Sequence, residues 1–334
     1  MVDVARAAGV SQSTVSLVVN GRPGRVGAST RDRVLAVIDE LGFRPNLTAR
    51  GLRLSVTGTI GLVTDRIASS PFAGPIVSGA QALAWSHGYL LLVVNTDGDE
   101  AVQAAAVQAL VDRRVDGLLY AAMAWQEVVL PATFDAVPSL LVNAWTADGH
   151  PAVTPAEVEG GRLAAQAVVE VGHRAIALIG GVRGHAAAVQ REQGFREHLA
   201  GAGIAVTEDW VSTGPWDIDS GYRRMLGLLD GPERPTAVVC GNDLVAVGVN
   251  TACRDRGLGV PAEVSVVGYD DQPILAAQYR PALTTVAIPH DALGRAAVTA
   301  LVAAIDTGER PRSARVGGVL VRRESVAPPS SGLT

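Results

Sequence analysis

The 334-residue chain has no lysine, only two cysteines and an aromatic content of 4%. Without lysine, P-loop phosphate binding and Schiff-base chemistry are both excluded, and all 28 basic residues are arginines. Cys240 and Cys253 are too few and too far apart for a disulfide framework or a zinc site. Reduced thiols are expected, with Cys240 in the core. No apolar run approaches the roughly 18 residues of a membrane span. The N-terminus reads as a polar amphipathic helix instead of a signal peptide, so a cytoplasmic protein is expected. No Gly-x-Ser-x-Gly elbow occurs, and Gly180-Gly181-Val182-Arg183-Gly184 lacks the G-x-G-x-x-G order. The six histidines, His87, His150, His173, His185, His198 and His290, show no metal-ligand spacing. No catalytic residue, metal or cofactor is therefore expected.

What is present begins with a charge asymmetry. The net charge of −5 conceals a first segment, residues 1–55, with eight arginines against four acids, or +4. The remainder carries 20 arginines against 29 acids, or −9. A solvated basic face is the ordinary reason for such a cluster. Here it coincides with a helical pattern, which favours a nucleic-acid-binding head.

Residues 2–20 read as two short helices broken at Gly9, the second opened by Ser11 as its N-cap. Val4, Ala8, Val10, Val15, Val18 and Val19 form the small core between them. Gln12, Ser13, Ser16, Leu17 and Asn20 are left on an outward face with no acidic side chain, the pattern of a helix-turn-helix entering a major groove. A Gly- and Pro-rich turn follows at 21–28, where Arg22 and Arg25 are either phosphate contacts or solvated loop charges. A third helix is expected from Ser29 to Leu41, with Val34, Leu35, Val37, Ile38 and Leu41 as its buried stripe. The segment 47–53 is too short for a stable lone helix. By itself it fits equally a conditional helix with Leu52 as a minor-groove wedge or a plain linker.

From Thr59 the pattern alternates between continuous apolar strands and amphipathic helices. Strands are expected at 59–63, 89–95, 117–120 and 139–143, with helices near 75–87, 99–113 and 125–131. A second series has strands near 175–179, 205–211, 236–240, 264–269 and 284–287. Its helices fall near 158–171, 187–201, 219–229 and 243–256, and a helix at 291–306 and a strand at 314–321 close the chain. The fold class is thus an all-α helix-turn-helix headpiece plus a two-lobed α/β core of parallel sheets. Ligands of such sheets bind at the carboxyl ends of strands, here in the cleft between lobes.

The run from Asp3 to Asn20, Arg44-Pro45-Asn46, Gly241-Asn242-Asp243 and the run from Ser265 to Asp271 together resemble the lac repressor and gal repressor family of bacterial transcription regulators. The resemblance covers essentially the whole chain. It implies a headpiece at 1–45, a hinge helix and linker at 46–57, a periplasmic-binding-protein-like effector and dimerisation core at 58–327, and a tail at 328–334. Lobe 1 takes about 58–155 plus 288–314, and lobe 2 about 156–287 plus 315–327. The family pattern puts base reading on Gln12, Ser13 and Leu17, with Thr14, Ser16, Asn20, Arg22 and Arg25 as further DNA contacts. It favours Leu52 as a wedge, Ala49 where two hinge helices cross, and Arg50 and Arg53 on phosphate.

In the core, the resemblance places the effector contacts on Arg191 and Asp270. A guanidinium fork and a carboxylate suit a polyhydroxylated ligand, best a sugar. Asn242 is assigned to the ligand and Asp243 mainly to capping the next helix. Trp216 is offered first as a stacking surface, with Trp145 and Trp125 behind it and core packing an equal reading for Trp125, and Phe72 and Asn143 are contributed by lobe 1. Many relatives carry arginine at the position of Leu17 and an aromatic residue at that of His290, so operator preference and ligand are expected to differ. No leucine heptad follows residue 321, which points to a homodimer reading a pseudo-palindromic operator. The implied function is a repressor under effector control. The competing readings are a solute-binding protein sharing the two-lobed core, and a co-repressor-dependent regulator responding to a nucleoside or purine.

Overall fold

The computed structural model describes residues 1–19, 26–42, 57–67 and 72–330. The chain divides into two compact units, Met1–Thr57 and Gly58–Thr334.

The first unit holds helices α1 (Val2–Ala7), α2 (Gln12–Val19) and α3 (Ala28–Glu40). Gly9 takes φ +61°, the left-handed value that ends α1. The Ser11 hydroxyl accepts from the Thr14 amide at 3.1 Å and so starts α2. Val4, Ala5, Ala8, Val15, Val18 and Val34 form the core. Val37 and Ile38 pack against it, but Leu35 and Leu41 are 46% and 50% exposed, so the apolar stripe of α3 is narrower than the sequence pattern implies. Val34 is the one residue of α3 that is fully buried. Arg33 Nε ties α3 to α1 through the Ala8 carbonyl at 3.0 Å.

The second unit contains two six-stranded sheets. The lobe 1 sheet has the order β11-β5-β4-β3-β1-β2, from β1 (Thr59–Thr64), β2 (Leu90–Asn95), β3 (Gly117–Glu127), β4 (Ser139–Trp145), β5 (Ala152–Pro155) and β11 (Ala314–Val316). All its pairings are parallel. Helices α4 (Gly74–Ser86), α5 (Glu100–Asp112) and α11 (His290–Thr307) belong to it.

The lobe 2 sheet has the order β12-β10-β9-β8-β6-β7, from β6 (Ile176–Ile179), β7 (Val211–Ser212), β8 (Ala237–Cys240), β9 (Ser265–Asp270), β10 (Thr284–Ala287) and β12 (Val319–Val321). Only β12 runs antiparallel. Its helices are α6 (Glu157–Val169), α7 (Ala186–Gly201), α8 (Ile218–Leu229), α9 (Asp243–Asp255) and the short α10 (Leu275–Gln278).

The structure revises several elements. The helix expected near 125–131 is absent, because β3 continues to Glu127 through a register shift between Ala121 and Gln126 and a 3₁₀ turn follows at Ala132–Ala136. Asp65 holds that shift, accepting from the Met123 amide at 3.0 Å and Gln126 Nε2 at 3.3 Å. The strand expected at 205–211 shrinks to Val211–Ser212. The single strand expected at 314–321 is two strands in different sheets. A clasp follows β12: His173 Nε2 donates to the Ala327 carbonyl at 2.8 Å, and the Ser325 hydroxyl donates to Val266 O at 2.6 Å.

Helix pairs cross at facing glycines. A Cβ on Gly161 of α6 would meet Arg191 O at 2.1 Å, and one on Gly194 of α7 would meet Val158 O at 1.9 Å. The same arrangement recurs between α8 and α9 at Gly221 and Gly248. Backbones therefore touch where α6 and α7 cross, and this fixes the height of Arg191 above the sheet.

Candidate functional site

The floor of the lobe 2 end of the cleft is built from three elements. The first turn of α6 brings Glu157, the second turn of α7 brings Arg191, and the end of β9 brings Tyr269 and Asp270. The guanidinium lies 3.7 Å above the Tyr269 ring centroid, a cation–π stack. Arg191 Nε and Nη2 donate to Glu157 at 2.7 and 2.9 Å, and Nη1 donates to Gly241 O at 2.7 Å. Asp270 Oδ1 stands 3.6 Å from Nη1. The Tyr269 hydroxyl donates to Glu157 Oε2 at 2.7 Å. Side-chain exposures are 11% for Arg191, 2% for Glu157 and 8% for Asp270, so this is a buried ionic cluster with partners on every side.

Burial pushes the Asp270 carboxyl well above the usual carboxylate range against the pull of Arg191. Burial also opposes the charge on Arg191, but Glu157 and its neighbours hold that guanidinium above its ordinary value. Asp270 takes φ 104°, a left-handed backbone that only the surrounding contacts can impose on a non-glycine residue.

Trp216 covers Gly181 and Gly241, where a Cβ would meet its ring at 2.0 and 2.9 Å. It lies 5.5 Å from the Arg191 guanidinium carbon and meets His185 edge-on at 5.7 Å. Asn242 has both side-chain ends engaged, accepting from the Val245 amide at 2.8 Å and donating to Trp216 O at 3.1 Å. The cap expected of Asp243 is thus made by Asn242. Asp243 instead accepts from the Thr285 hydroxyl at 2.7 Å and the Gln272 amide at 2.8 Å, tying the β9 loop to β10.

Lobe 1 supplies the other wall. Phe72 meets His290 edge-on at 4.7 Å. Burial drives the His290 imidazole down to about 4, with the charges of Glu157 and Arg191 as smaller, opposed influences. Trp145 ends β4, and its indole N–H, like that of Trp125, is buried without an acceptor among the described residues. Asn143, at φ 54°, donates to Ala122 O at 3.0 Å and braces the β3 shift. Arg191, Asp270 and Trp216 therefore come together, Phe72 joins His290, and Asn242 and Asn143 hold backbone. Glu157, Tyr269 and His290 complete the arrangement. An acid in the first turn of a helix ordinarily reads as a solvated partner of the helix dipole, which is why Glu157 does not stand out in the sequence.

In the first unit, Gln12 and Ser13 are exposed on α2, while Thr14, Ser16 and Leu17 are half-buried. The Ser11 hydroxyl lies 2.7 Å from that of Ser13 and 2.9 Å from that of Thr14. Leu17 is not among the side chains packed on the headpiece core. Asn20, Arg22, Arg25, Ala49, Arg50, Leu52 and Arg53 lie outside the described residues.

Residues 1–46 match the family model of bacterial regulatory proteins, lacI family, and residues 165–326 match that of the periplasmic binding protein-like domain. The chain is 36% identical over 331 residues to the HTH-type transcriptional repressor PurR of Yersinia enterocolitica, covering 97% of this chain and 96% of that one. The chain belongs to the lacI family.

Like other members, this lacI-family regulator is a DNA-binding transcription regulator. Its fold is similar to that of the transcriptional regulator CelR-cellobiose complex, with a TM-score of 0.68, 32% identity and coverage of 96% and 98% of the two chains. The lac repressor dimer bound to operator and the anti-inducer ONPF gives a TM-score of 0.75 at 30% identity, covering 97% and 98%. Among the described residues of this lacI-family chain, no helix is long and apolar enough to cross a membrane and no group of side chains is placed to hold a metal ion.

Proposed function

We propose that this lacI-family regulator is a repressor whose operator affinity is set by a small polyhydroxylated molecule, a sugar, held between the lobes. The observation that carries this is the Arg191–Asp270 pair, 3.6 Å apart beside the Trp216 ring. A guanidinium and a carboxylate at that spacing serve vicinal hydroxyls as donor and acceptor, and an aromatic ring covers the apolar face of a pyranose. The cellobiose of the CelR complex is in keeping with this. Residues 46–57 are the connection by which the core acts on the headpiece.

On the DNA side, Gln12 and Ser13 read base edges and Leu17 makes apolar contact. Two headpieces are supplied by a homodimer. Support for the dimer comes from β2, an edge strand with Leu90 and Val93 at 47% and 36% exposure, next to Trp85 at 71%. Gel-shift titration with the regulator's own promoter region, with and without ligands found in a thermal-shift screen of sugars, nucleosides and purines, tests the reading. Operator binding that changes with a sugar and loses that response in R191A supports it. Nucleosides and purines stand in the screen because the buried indole N–H groups of Trp125 and Trp145 could also receive the edge of a base. A response to these alone, or no operator binding under any condition, refutes it.

A further inference from the structure

Glu157 occupies the arginine on which an anionic ligand would otherwise be received. Its two oxygens take Nε–H and one Nη2–H of Arg191 as a two-pronged pair, and Gly241 O takes a third donor. The charge of the cluster follows from its members. One guanidinium faces two carboxylates, Glu157 and Asp270, so the sum is −1, or zero if Asp270 carries a proton; it is never positive.

Among the described residues, the neighbouring cations do not correct this: Arg323 is already paired with Asp271 at 2.7 Å and donates to the Leu283 carbonyl. His290 is held neutral by burial. Burial likewise pushes His185 down. Arg224, a half-buried guanidinium at this end of the sheet, gives its donors to the carbonyls of Gly180, Ser212, Pro215 and Ser220. Arg183 is exposed to solvent. An arriving phosphate or carboxylate would have to displace Glu157 from Arg191, and Glu157 is 2% exposed with the Tyr269 hydroxyl as its remaining partner. Leaving that carboxylate unpaired inside the protein is costlier than anything the anion gains.

We propose that Glu157 is the charge filter of this cleft: by closing on Arg191 it restricts the effector to uncharged polyhydroxylated molecules and turns away their phosphorylated and carboxylated counterparts. The proposal rests on the reading of the cleft as the effector site. It makes Glu157 a specificity-determining residue rather than a ligand contact. The two remaining N–H groups of Arg191 still serve a neutral hydroxyl, while the countercharge an anion seeks is already taken.

The test uses the full chain, calorimetric titration and matched probes: glucose and cellobiose against glucose 6-phosphate, gluconate and inorganic phosphate. The wild type is expected to take up none of the anions at millimolar concentration. E157Q keeps the size of the side chain and removes its charge, and it is expected to gain roughly ten- to a hundredfold in affinity for glucose 6-phosphate or phosphate. That gain is lost again in E157Q/R191A. Anion binding by the wild type that R191A abolishes, or a folded E157Q with no gain, overturns the proposal. Should E157Q not fold, E157D keeps the charge and is expected to exclude anions as the wild type does; R191A-sensitive anion binding by E157D overturns the filter. Operator release is scored in parallel. If no compound of either class alters it, the effector reading fails, whereas the anion titrations decide the filter on their own.

Discussion

The contact between Gly160 and Tyr269 allows a quantitative prediction. A Cβ at Gly160 would lie 1.8 Å from Tyr269 Oη, 2.8 Å from Cζ and 3.1 Å from Cε2. Reaching ordinary contact requires the ring to retreat by roughly 1.5 Å, in a site as closely packed as protein interiors are. It cannot do so freely, because Arg191 stacks on the ring at 3.7 Å and the hydroxyl holds Glu157 at 2.7 Å. Overpacking costs about 1–3 kcal/mol. Loss of a hydrogen bond to a charged acceptor costs about 1.5–3 kcal/mol. Replacing a helical glycine by alanine returns up to ~1 kcal/mol. Gly160→Ala is thus expected to destabilise the core by ~1.5–6 kcal/mol. Tyr269→Phe alone is expected to cost ~1.5–3 kcal/mol. The double variant loses the hydrogen bond once and has no oxygen to collide with, so its cost is expected to fall short of the sum by at least ~1.5 kcal/mol. Urea denaturation of the full chain, read on the core transition, measures all three. Additivity within ~0.5 kcal/mol, or a Gly160→Ala variant as stable as the wild type, would refute the geometry.

The remaining predictions concern DNA, pH and assembly. Gln12→Ala is expected to weaken operator binding by roughly 5- to 150-fold and to relax discrimination at one base pair, measured by gel shift on operator variants; a uniform loss on all sequences would make Gln12 a backbone contact. Burial lowers His290 from 6.5 to about 4, so the unfolded chain takes up its proton first and the contribution of His290 to stability falls as pH drops below about 6.5. Asp243, raised to about 7 by burial, contributes with the opposite sign over the same range. Comparing His290→Asn with the wild type isolates the first effect: the stability difference should shift towards the variant by about 2 kcal/mol between pH 7 and pH 5, and a pH-independent difference would sink the assignment. Trp85→Asp, in the last turn of α4, is expected to raise the dissociation constant of the proposed dimer at least ~30-fold by sedimentation, and an unchanged constant would move the interface elsewhere.

The order of strands and helices could be read from the sequence because buried parallel strands leave continuous apolar runs, as in Ala237–Cys240, and helices leave caps, as at Ser11. The expectation failed where tertiary contacts override local pattern. Residues 122–127 stay extended because Asp65, some sixty positions earlier, binds Met123 and Gln126. Leu35 and Leu41 fit a helical stripe but find nothing to pack on among the described residues. At the candidate site, Arg191 and Asp270 are picked out by resemblance and Trp216 by its place near a strand end, and the structure brings the three together. Glu157 is not legible in the sequence, since its partners lie 34 and 112 residues away and only the fold makes it a buried acid. The cap passed from Asp243 to Asn242 for a related reason. Either residue can cap a helix; Asp243 is taken by the Thr285 hydroxyl, which needs an acceptor, and the cap falls to Asn242.

The last two strands have a consequence for how the protein is made. β11 completes the edge of one sheet and β12, only two residues later, the edge of the other, with the clasp to His173 after them. A ribosome therefore releases nearly the entire core before either lobe can close. Until residues 314–327 emerge, both sheets expose an unpaired edge strand, β5 in one and β10 in the other. A stop codon upstream of residue 314 would strip the last strand from both sheets at once, although each looks in cross-section like a domain that could stand alone.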